Sequence, residues 1–225
     1  MEVFPKIKAL IFMKGYSERV PGKNLRNLDG IPLFHWIMNS LTNSRFISEI
    51  IINTDSDEIA SSALDNYDVT IHMRPKHLLD IHHNEANQII EYDLSVSEGE
   101  YFLQTHSTNP LLTTDSIDRA IELFFSKKEM YNSLMSVTEV FKRFYFHTGI
   151  PVNHDPNNVS KTQDLHPLYE ENSSLYIFSK ESFLENINRV GSKPLFFPIN
   201  SNEAVDIDNI TDFEFAEALM RIRRK

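Results

Sequence analysis

The chain contains no cysteine, so disulfides, thiolate nucleophiles and cysteine-held zinc are excluded outright. No apolar run approaches the roughly 20 residues that a membrane-spanning helix needs. The opening residues Met1-Glu2-Val3-Phe4-Pro5-Lys6 lack the charged-then-apolar pattern of an export signal. These absences lead us to expect a soluble, cytoplasmic protein with no membrane partner. Basic residues are few beside acidic ones, 22 lysines and arginines against 32 aspartates and glutamates, for a net charge of -10 and a pI near 5.3. Nucleic acid is not expected as a partner, because neutralising a phosphate backbone needs a dominant basic face. No repeat or low-complexity tract is visible, and the 41% of hydrophobic residues suffice for one full core. Residues 1–225 therefore read as a single domain.

Strands and helices are expected in alternation. Short apolar or β-branched runs at 9–13, 49–53, 69–72, 101–105 and 134–137 have the length of buried parallel strands. The first helix is predicted over 33–41, with Pro32 as its first helical residue. The second is capped by Ser56 and carries Asp57 and Glu58 in its first turn. Two more are predicted over 84–94 and 114–125, and a last helix opens at a Thr211-Asp212-Phe213-Glu214 capping box. A turn at Glu170-Glu171-Asn172-Ser173 leads residues 175–178 back into the sheet, and Phe196-Phe197 read as core. The fold class is thus α/β: a three-layer sandwich, a mainly parallel sheet with helices on both faces. Such sheets bind ligands at the carboxyl ends of their strands, so the loops after Met13, Asn53 and Thr105 should share one functional edge.

Residues 142–171 break this pattern. They carry Pro151, Pro156 and Pro167 without helical period or strand alternation, and follow an aromatic group of Phe141, Phe144, Tyr145 and Phe146. A structureless connection of that length inside a compact domain points to function, and we expect a contact with a partner subunit.

Positive charge is concentrated in one place, the loop 14–26 after the first strand, with Lys14, Arg19, Lys23 and Arg26 against Glu18. In an acidic protein such an island suits a small polyanion, for example a nucleoside triphosphate. Gly15 and Gly22 let the backbone approach phosphate oxygens, while Lys14, Arg19 and Lys23 supply counter-charge. The loop is not a Walker motif, since six residues separate the glycines and Asn24 follows Lys23. It is not the dinucleotide fingerprint either, because no third glycine opens a helix. A second constellation is Asp206-Ile207-Asp208. In an extended segment both carboxylates face one side, and their hard oxygens suit Mg²⁺ carried on phosphates. Adjacent His82 and His83 point to different helix faces and read as a solvated helix start rather than a metal site.

Several ordered blocks carry a resemblance. They are Lys14-Gly15-x-Ser17-x-x-Val20-Pro21-Gly22-Lys23-Asn24, Asp29-Gly30-x-Pro32-Leu33, Thr54-Asp55-Ser56, Arg74-Pro75, Thr108-Asn109-Pro110-Leu111, Thr162-Gln163-Asp164-Leu165 and Asp206-Ile207-Asp208-x-x-x-Asp212-Phe213. The chain resembles the acylneuraminate cytidylyltransferases, the CMP-sialic acid synthetases, over nearly its whole length. The resemblance implies a Rossmann-like domain that joins CMP from CTP to the anomeric hydroxyl of a 2-keto nonulosonic acid and releases pyrophosphate. It also implies a homodimer in which an excursion reaches the other subunit's site, matching residues 142–171. By resemblance, Lys14, Gly15, Ser17, Lys23, Asn24 and Arg74 bind the nucleotide, and Asp206 and Asp208 hold Mg²⁺. Gln104, His106, Thr108 and Asn109 belong to the sugar pocket, with Lys161 and Gln163 presented across the dimer to the sugar carboxylate. Lys14, Lys23, Asp208 and His106 are the expected catalytic group.

Two departures from the family pattern stand out. Lys14 occupies the place of a usual arginine and replaces a bidentate fork with a point charge. Aligned on Thr108 and Pro110, the stretch from Leu103 to Leu111 puts His106 where the sugar-contacting glutamine normally falls; aligned on Gln104, it carries two extra residues. Such a histidine can donate to a sugar hydroxyl or help deprotonate the attacking one. The altered pocket points to an acid other than N-acetylneuraminate, such as a legionaminic, pseudaminic or deaminated analogue. The alternatives are an eight-carbon Kdo-type cytidylyltransferase, a glycosyltransferase sharing the Asp-x-Asp motif, and a non-catalytic sugar-nucleotide binder.

Overall fold

The computed structural model describes residues 4–79 and 85–223. His82, His83 and Asn84 lie outside the described residues. The expected alternation is present. Strand β1 (Ile7–Met13) leads through the basic loop to a two-residue hairpin, β2 (Asn27–Leu28) and β3 (Ile31–Pro32). Its turn is Asp29-Gly30, both at positive φ (48° and 105°), the conformation that a tight hairpin of this twist demands. There follow α1 (Leu33–Thr42), β4 (Ile47–Thr54), α2 (Asp57–Asn66), β5 (Thr70–Met73), α3 (Glu85–Val96), β6 (Tyr101–His106), α4 (Thr114–Lys127) and β7 (Ser133–Val140). The chain closes with β8 (Leu168–Ser179), α5 (Lys180–Asn186), β9 (Pro194–Pro198) and α6 (Ile210–Arg223).

One seven-stranded sheet runs in the order β5-β4-β1-β6-β8-β7-β9. Every neighbouring pair is parallel except those made by β8, which runs against both β6 and β7. Side chains of β1 alternate between two cores. Ala9, Ile11 and Met13 meet Phe34 and Ile37 of α1, Ile59 of α2 and Ile121 of α4. Leu10 faces Ile90 and Leu94 of α3, and Phe183 of α5. Period-two burial on both faces is what makes β1 an almost unbroken apolar run, and it fixes three layers. A third cluster, with Val20, Leu28, Leu33 and Ile207, seats α6 through Phe213, Ala216 and Met220 beneath the basic loop.

Three local expectations are corrected. Pro32 is the N-cap of α1, with ψ at 143°, rather than its first helical residue. It is still pairing with Asn27 in the hairpin, and the helix begins one residue later. The last helix is capped two residues earlier than predicted. Asn209 Oδ1 accepts from the amides of Thr211 and Asp212, and Asp212 Oδ2 accepts from those of Asp208 and Asn209. The box is Asn209-x-x-Asp212, not Thr211-x-x-Glu214. The segment 170–173 is strand rather than turn: Glu170 and Glu171 pair with Thr138 and Val137, and the register shifts between Met135 and Val137. Opposite that irregularity Ser173 takes φ 55°, so β8 bends there without leaving the sheet.

The excursion between β7 and β8 carries little regular structure. It holds isolated bridges Tyr145–Pro151 and Asp155–Asn158 and a short 3₁₀ turn at Thr162–Asp164. Phe141, Tyr145, Phe146, Ile150 and Val159 are exposed on it.

Candidate active site

A cleft of about 1100 Å³ opens at the carboxyl ends of β1, β4 and β6, the edge expected from topology. Its floor is set by the basic loop, which the buried Val20 anchors in the α6 cluster. Gly22, at φ 64°, turns the chain into the 3₁₀ turn that raises Lys23 and Asn24. Asn24 is buried. Its amide donates to the Lys14 carbonyl (2.9 Å), and its Oδ1 accepts from Ser107 Oγ (2.7 Å), tying the loop to the end of β6. Gly15 donates its N–H to Asp55 Oδ1 (2.6 Å) at the start of the loop before α2.

At one end of the cleft Lys14 Nζ meets Glu85 Oε1 at 2.7 Å, and Arg74 Nη1 lies 3.8 Å from the same oxygen. Arg74 is held from behind. Its Nε donates to Asn53 Oδ1 (2.8 Å), Asn53 in turn donates to the buried Asp93 (2.8 Å), and His72 also bonds Asp93 (2.8 Å). Burial lowers the Arg74 pKa against the pull of Asp55, Glu85 and Asp93, but the guanidinium stays charged. Its Nη1 is buried without a hydrogen-bond partner.

In the middle of the cleft, Asp206 and Asp208 both face the cavity while Ile207 between them is fully buried. The Ile207 amide donates to the Thr108 carbonyl (2.9 Å), and its carbonyl accepts from Lys23 Nζ (2.8 Å). Arg19 pairs with Asp208 (2.9 Å). Desolvation lowers the Lys23 pKa, opposed by Asp206 and Asp208. Asp206 is raised, first by desolvation and further by Asp208, although a hydrogen bond to Thr108 opposes this. Two hard carboxylates repelling one another beside a polyanion loop are a donor set that suits Mg²⁺. Among the described residues no group of three or more His, Asp or Glu side chains could hold a metal ion by itself.

A further stretch of the wall is built on Gln104, His106 and Arg189, with the Arg189 amide reaching Asn87 Oδ1 (3.5 Å). Arg189 Nη1 donates to Gln104 Oε1 (2.6 Å), which fixes the orientation of the amide because guanidinium can only donate. Gln104 Nε2 then donates to the Thr105 carbonyl (2.9 Å) and faces His106 Nε2 at 3.1 Å. His106 Nε2 is therefore the acceptor, and the proton sits on Nδ1. Burial, with Arg189 and Lys23 nearby, pulls the His106 pKa down to about 3. The ring is neutral and lines the cleft.

A cytidylyltransferase family model matches residues 8–224. The chain belongs to the cytidylyltransferase family. It is 29% identical over 219 residues to the N-acylneuraminate cytidylyltransferase A of Danio rerio, covering 94% of this chain and 50% of that protein. It thus spans about half the length of that relative. It is 25% identical to the pseudaminic acid cytidylyltransferase of Campylobacter jejuni, covering 96% of this chain and 97% of the other. A solved CMP:2-keto-3-deoxy-manno-octonic acid synthetase complexed with CTP superposes with a TM-score of 0.71 at 11% identity, covering 97% and 99% of the two chains, a likeness of fold.

In this cytidylyltransferase cleft the structure brings together Lys14, Ser17, Lys23, Asn24, Arg74, His106, Thr108, Asp206 and Asp208. Gly15 does not line it, because its N–H is spent on Asp55. Gln104 and Asn109 are fully buried behind the wall. Gln104 orients His106 and Arg189, and Asn109 donates to the Val205 carbonyl (3.3 Å), steadying the approach to Asp206. Lys161 and Gln163 lie on the excursion and are not among the residues lining the cleft of their own protomer. The histidine's expected part in deprotonating a hydroxyl is corrected: its acceptor nitrogen is taken by Gln104, and burial disfavours uptake of a second proton. Asp55, Glu85 and Arg189 line the cleft and were not singled out as site residues. Asp55 stood in a family block, whereas Glu85 and Arg189 carry no motif.

Proposed function

We propose that this cytidylyltransferase transfers CMP from CTP to the anomeric hydroxyl of a nonulosonic 2-keto acid. The observation that carries the reading is the convergence in one cleft of Lys14, Lys23 and Arg74 with the outward carboxylates Asp206 and Asp208. The N-acylneuraminate and pseudaminic acid relatives support that class of acid. The C2 hydroxyl oxygen attacks the α-phosphorus as its proton passes to solvent, the bond to the β-phosphate oxygen breaks, and pyrophosphate leaves. Lys23 and Lys14 hold the triphosphate and neutralise its charge; Arg74, locked by Asn53, offers its unpartnered Nη1 to the nucleoside end. Asp206 and Asp208 would hold Mg²⁺, which when bound offsets charge building on the phosphates. His106 donates its Nδ1–H to a sugar oxygen. The Lys14–Glu85 and Arg19–Asp208 pairs would compete with phosphate and metal for these side chains.

The working form is a homodimer joined through the excursion, whose exposed aromatic and aliphatic side chains are what such a contact would cover. No helix among the described residues is long and apolar enough to cross a membrane, and CTP as substrate fits a cytoplasmic setting. The test is pyrophosphate release from CTP and Mg²⁺ with a panel of nine-carbon 2-keto acids and the eight-carbon Kdo. Release with at least one nine-carbon acid is expected. CTP binding without turnover of any acid would overturn the reading, and turnover of Kdo alone would replace it. Asp208→Asn should cost about 100-fold or more in kcat with an unchanged circular dichroism spectrum; full activity would refute its role.

A further inference from the structure

Among the described residues, Arg189 is a cleft cation without a carboxylate ion pair. Lys14 meets Glu85 at 2.7 Å, Arg19 meets Asp208 at 2.9 Å, and Arg74 lies 3.8 Å from Glu85. Lys23 is committed to the Ile207 carbonyl and stands beside Asp206 and Asp208. Arg189 bonds only neutral acceptors, Gln104 Oε1 at 2.6 Å and the Tyr176 hydroxyl at 3.2 Å, and forms no carboxylate ion pair among the described residues. Glu171, in the same cluster, accepts from the Tyr176 hydroxyl instead. The guanidinium also rests on the Tyr176 ring, 3.9 Å from its centroid, and Tyr176 is itself fully buried between β6 and β7. Two hydrogen bonds and a stacked face thus hold a planar cation rigidly at the cleft wall.

Such a group is built for an anion. It has no direct carboxylate partner among the described residues, its orientation is set in advance, and the fork geometry of guanidinium matches a carboxylate. The reaction offers two anions. The triphosphate belongs with the loop after β1, whereas Arg189 is held on Gln104 of β6 and Tyr176 of β8. We propose that Arg189 anchors the carboxylate of the sugar acid. The inference rests on the function proposed above. Held there, beside His106 on the cleft wall, the acid end of the sugar is gripped within one subunit. This assigns to Arg189 the role that the sequence had given to Lys161 and Gln163.

A substrate-charge cycle tests it. The acid that wild type turns over fastest in the panel, and its methyl ester, are compared in kcat/KM for wild type, Arg189→Gln, Arg189→Lys and Lys161→Ala. Wild type should favour acid over ester by about 10- to 100-fold, the range of a charge-assisted hydrogen-bonded pair. In R189Q that preference should collapse to about threefold or less, while the KM for CTP changes by less than about twofold; R189K should fall between, and K161A should keep the wild-type ratio. Because each ratio is internal to one variant, partial loss of stability cancels. If R189Q does not fold, R189K decides: a ratio at least about threefold below wild type supports the anchor, and an unchanged one overturns it. An unchanged ratio in R189Q, or a collapse in K161A instead, overturns it as well. Wild type inactive with every acid would strike at the proposed function, whereas active wild type with an indifferent Arg189 strikes at this inference alone.

Discussion

Gly15 sits where a side chain has no room, since an added Cβ would come within 2.8 Å of Ser56 Cβ. Gly15→Ala should cost about 1–3 kcal/mol by overpacking, and the cost should shrink in a Ser56→Gly background, where the clashing carbon is gone. Urea denaturation of the four proteins gives the coupling, and simple additivity would refute the contact. His106 and Asp206 respond oppositely to pH. His106 has its folded pKa depressed from 6.5 to about 3. Between those values the unfolded chain binds a proton that the folded one refuses, so stability is lost as pH falls through that window. Asp206 has its folded pKa raised above 3.8, so its contribution is present below that value and lost as pH rises through the folded pKa. Asp206→Asn should therefore be more stable than wild type at pH 7 without metal or nucleotide, and the advantage should vanish below about pH 4. His106→Asn should lose less stability than wild type between pH 6.5 and 4. Urea melts across pH decide both, and parallel curves for all three would refute the assignments. The paired aspartates were legible because alternation alone puts both on one side of a strand. Arg189 was not, because it lies in an irregular loop after α5 and gains its meaning only from Gln104 and Tyr176, far away in sequence.

The elements show where local signals were misread by a residue or two. Two overlapping boxes exist at the start of α6, Asn209-x-x-Asp212 and Thr211-x-x-Glu214, and both satisfy the pattern. The first wins because Ile207 is pinned in the core, which fixes where the chain can begin to coil. Asn209→Ala should therefore cost about 1 kcal/mol and Thr211→Ala no more than about 0.5, read as shifts in the urea midpoint; the reverse order would restore the box read from sequence. β9 escaped notice as a strand because Pro194 and Pro198 bound it, and proline is tolerated there since the strand lies at the sheet edge beside β7. The outer half of β8 was hidden by Glu170 and Glu171, polar residues that β7 recruits by backbone pairing alone.

For the molecule as a whole, the three layers and the ligand edge followed from alternating runs, because both faces of β1 must be covered and the connections must cross right-handedly. Nothing local in residues 142–171 says what they touch, and their apolar surface has meaning only in an assembly. Replacing Phe146, Ile150 and Val159 together by serine should convert a dimer to a monomer in sedimentation velocity without loss of secondary structure. A monomeric wild type would dismiss the excursion as the joint.

Ile207, buried between two outward carboxylates, makes the segment before α6 intolerant of a kind of change that substitutions never probe. Loss or gain of one residue just ahead of it would present isoleucine to the triphosphate and drive a carboxylate into the apolar cluster under the loop. A two-residue change would restore the facing. The genetic tolerance of this stretch is thus a matter of parity: its length can vary only in even steps while the rest of the loop drifts freely in composition.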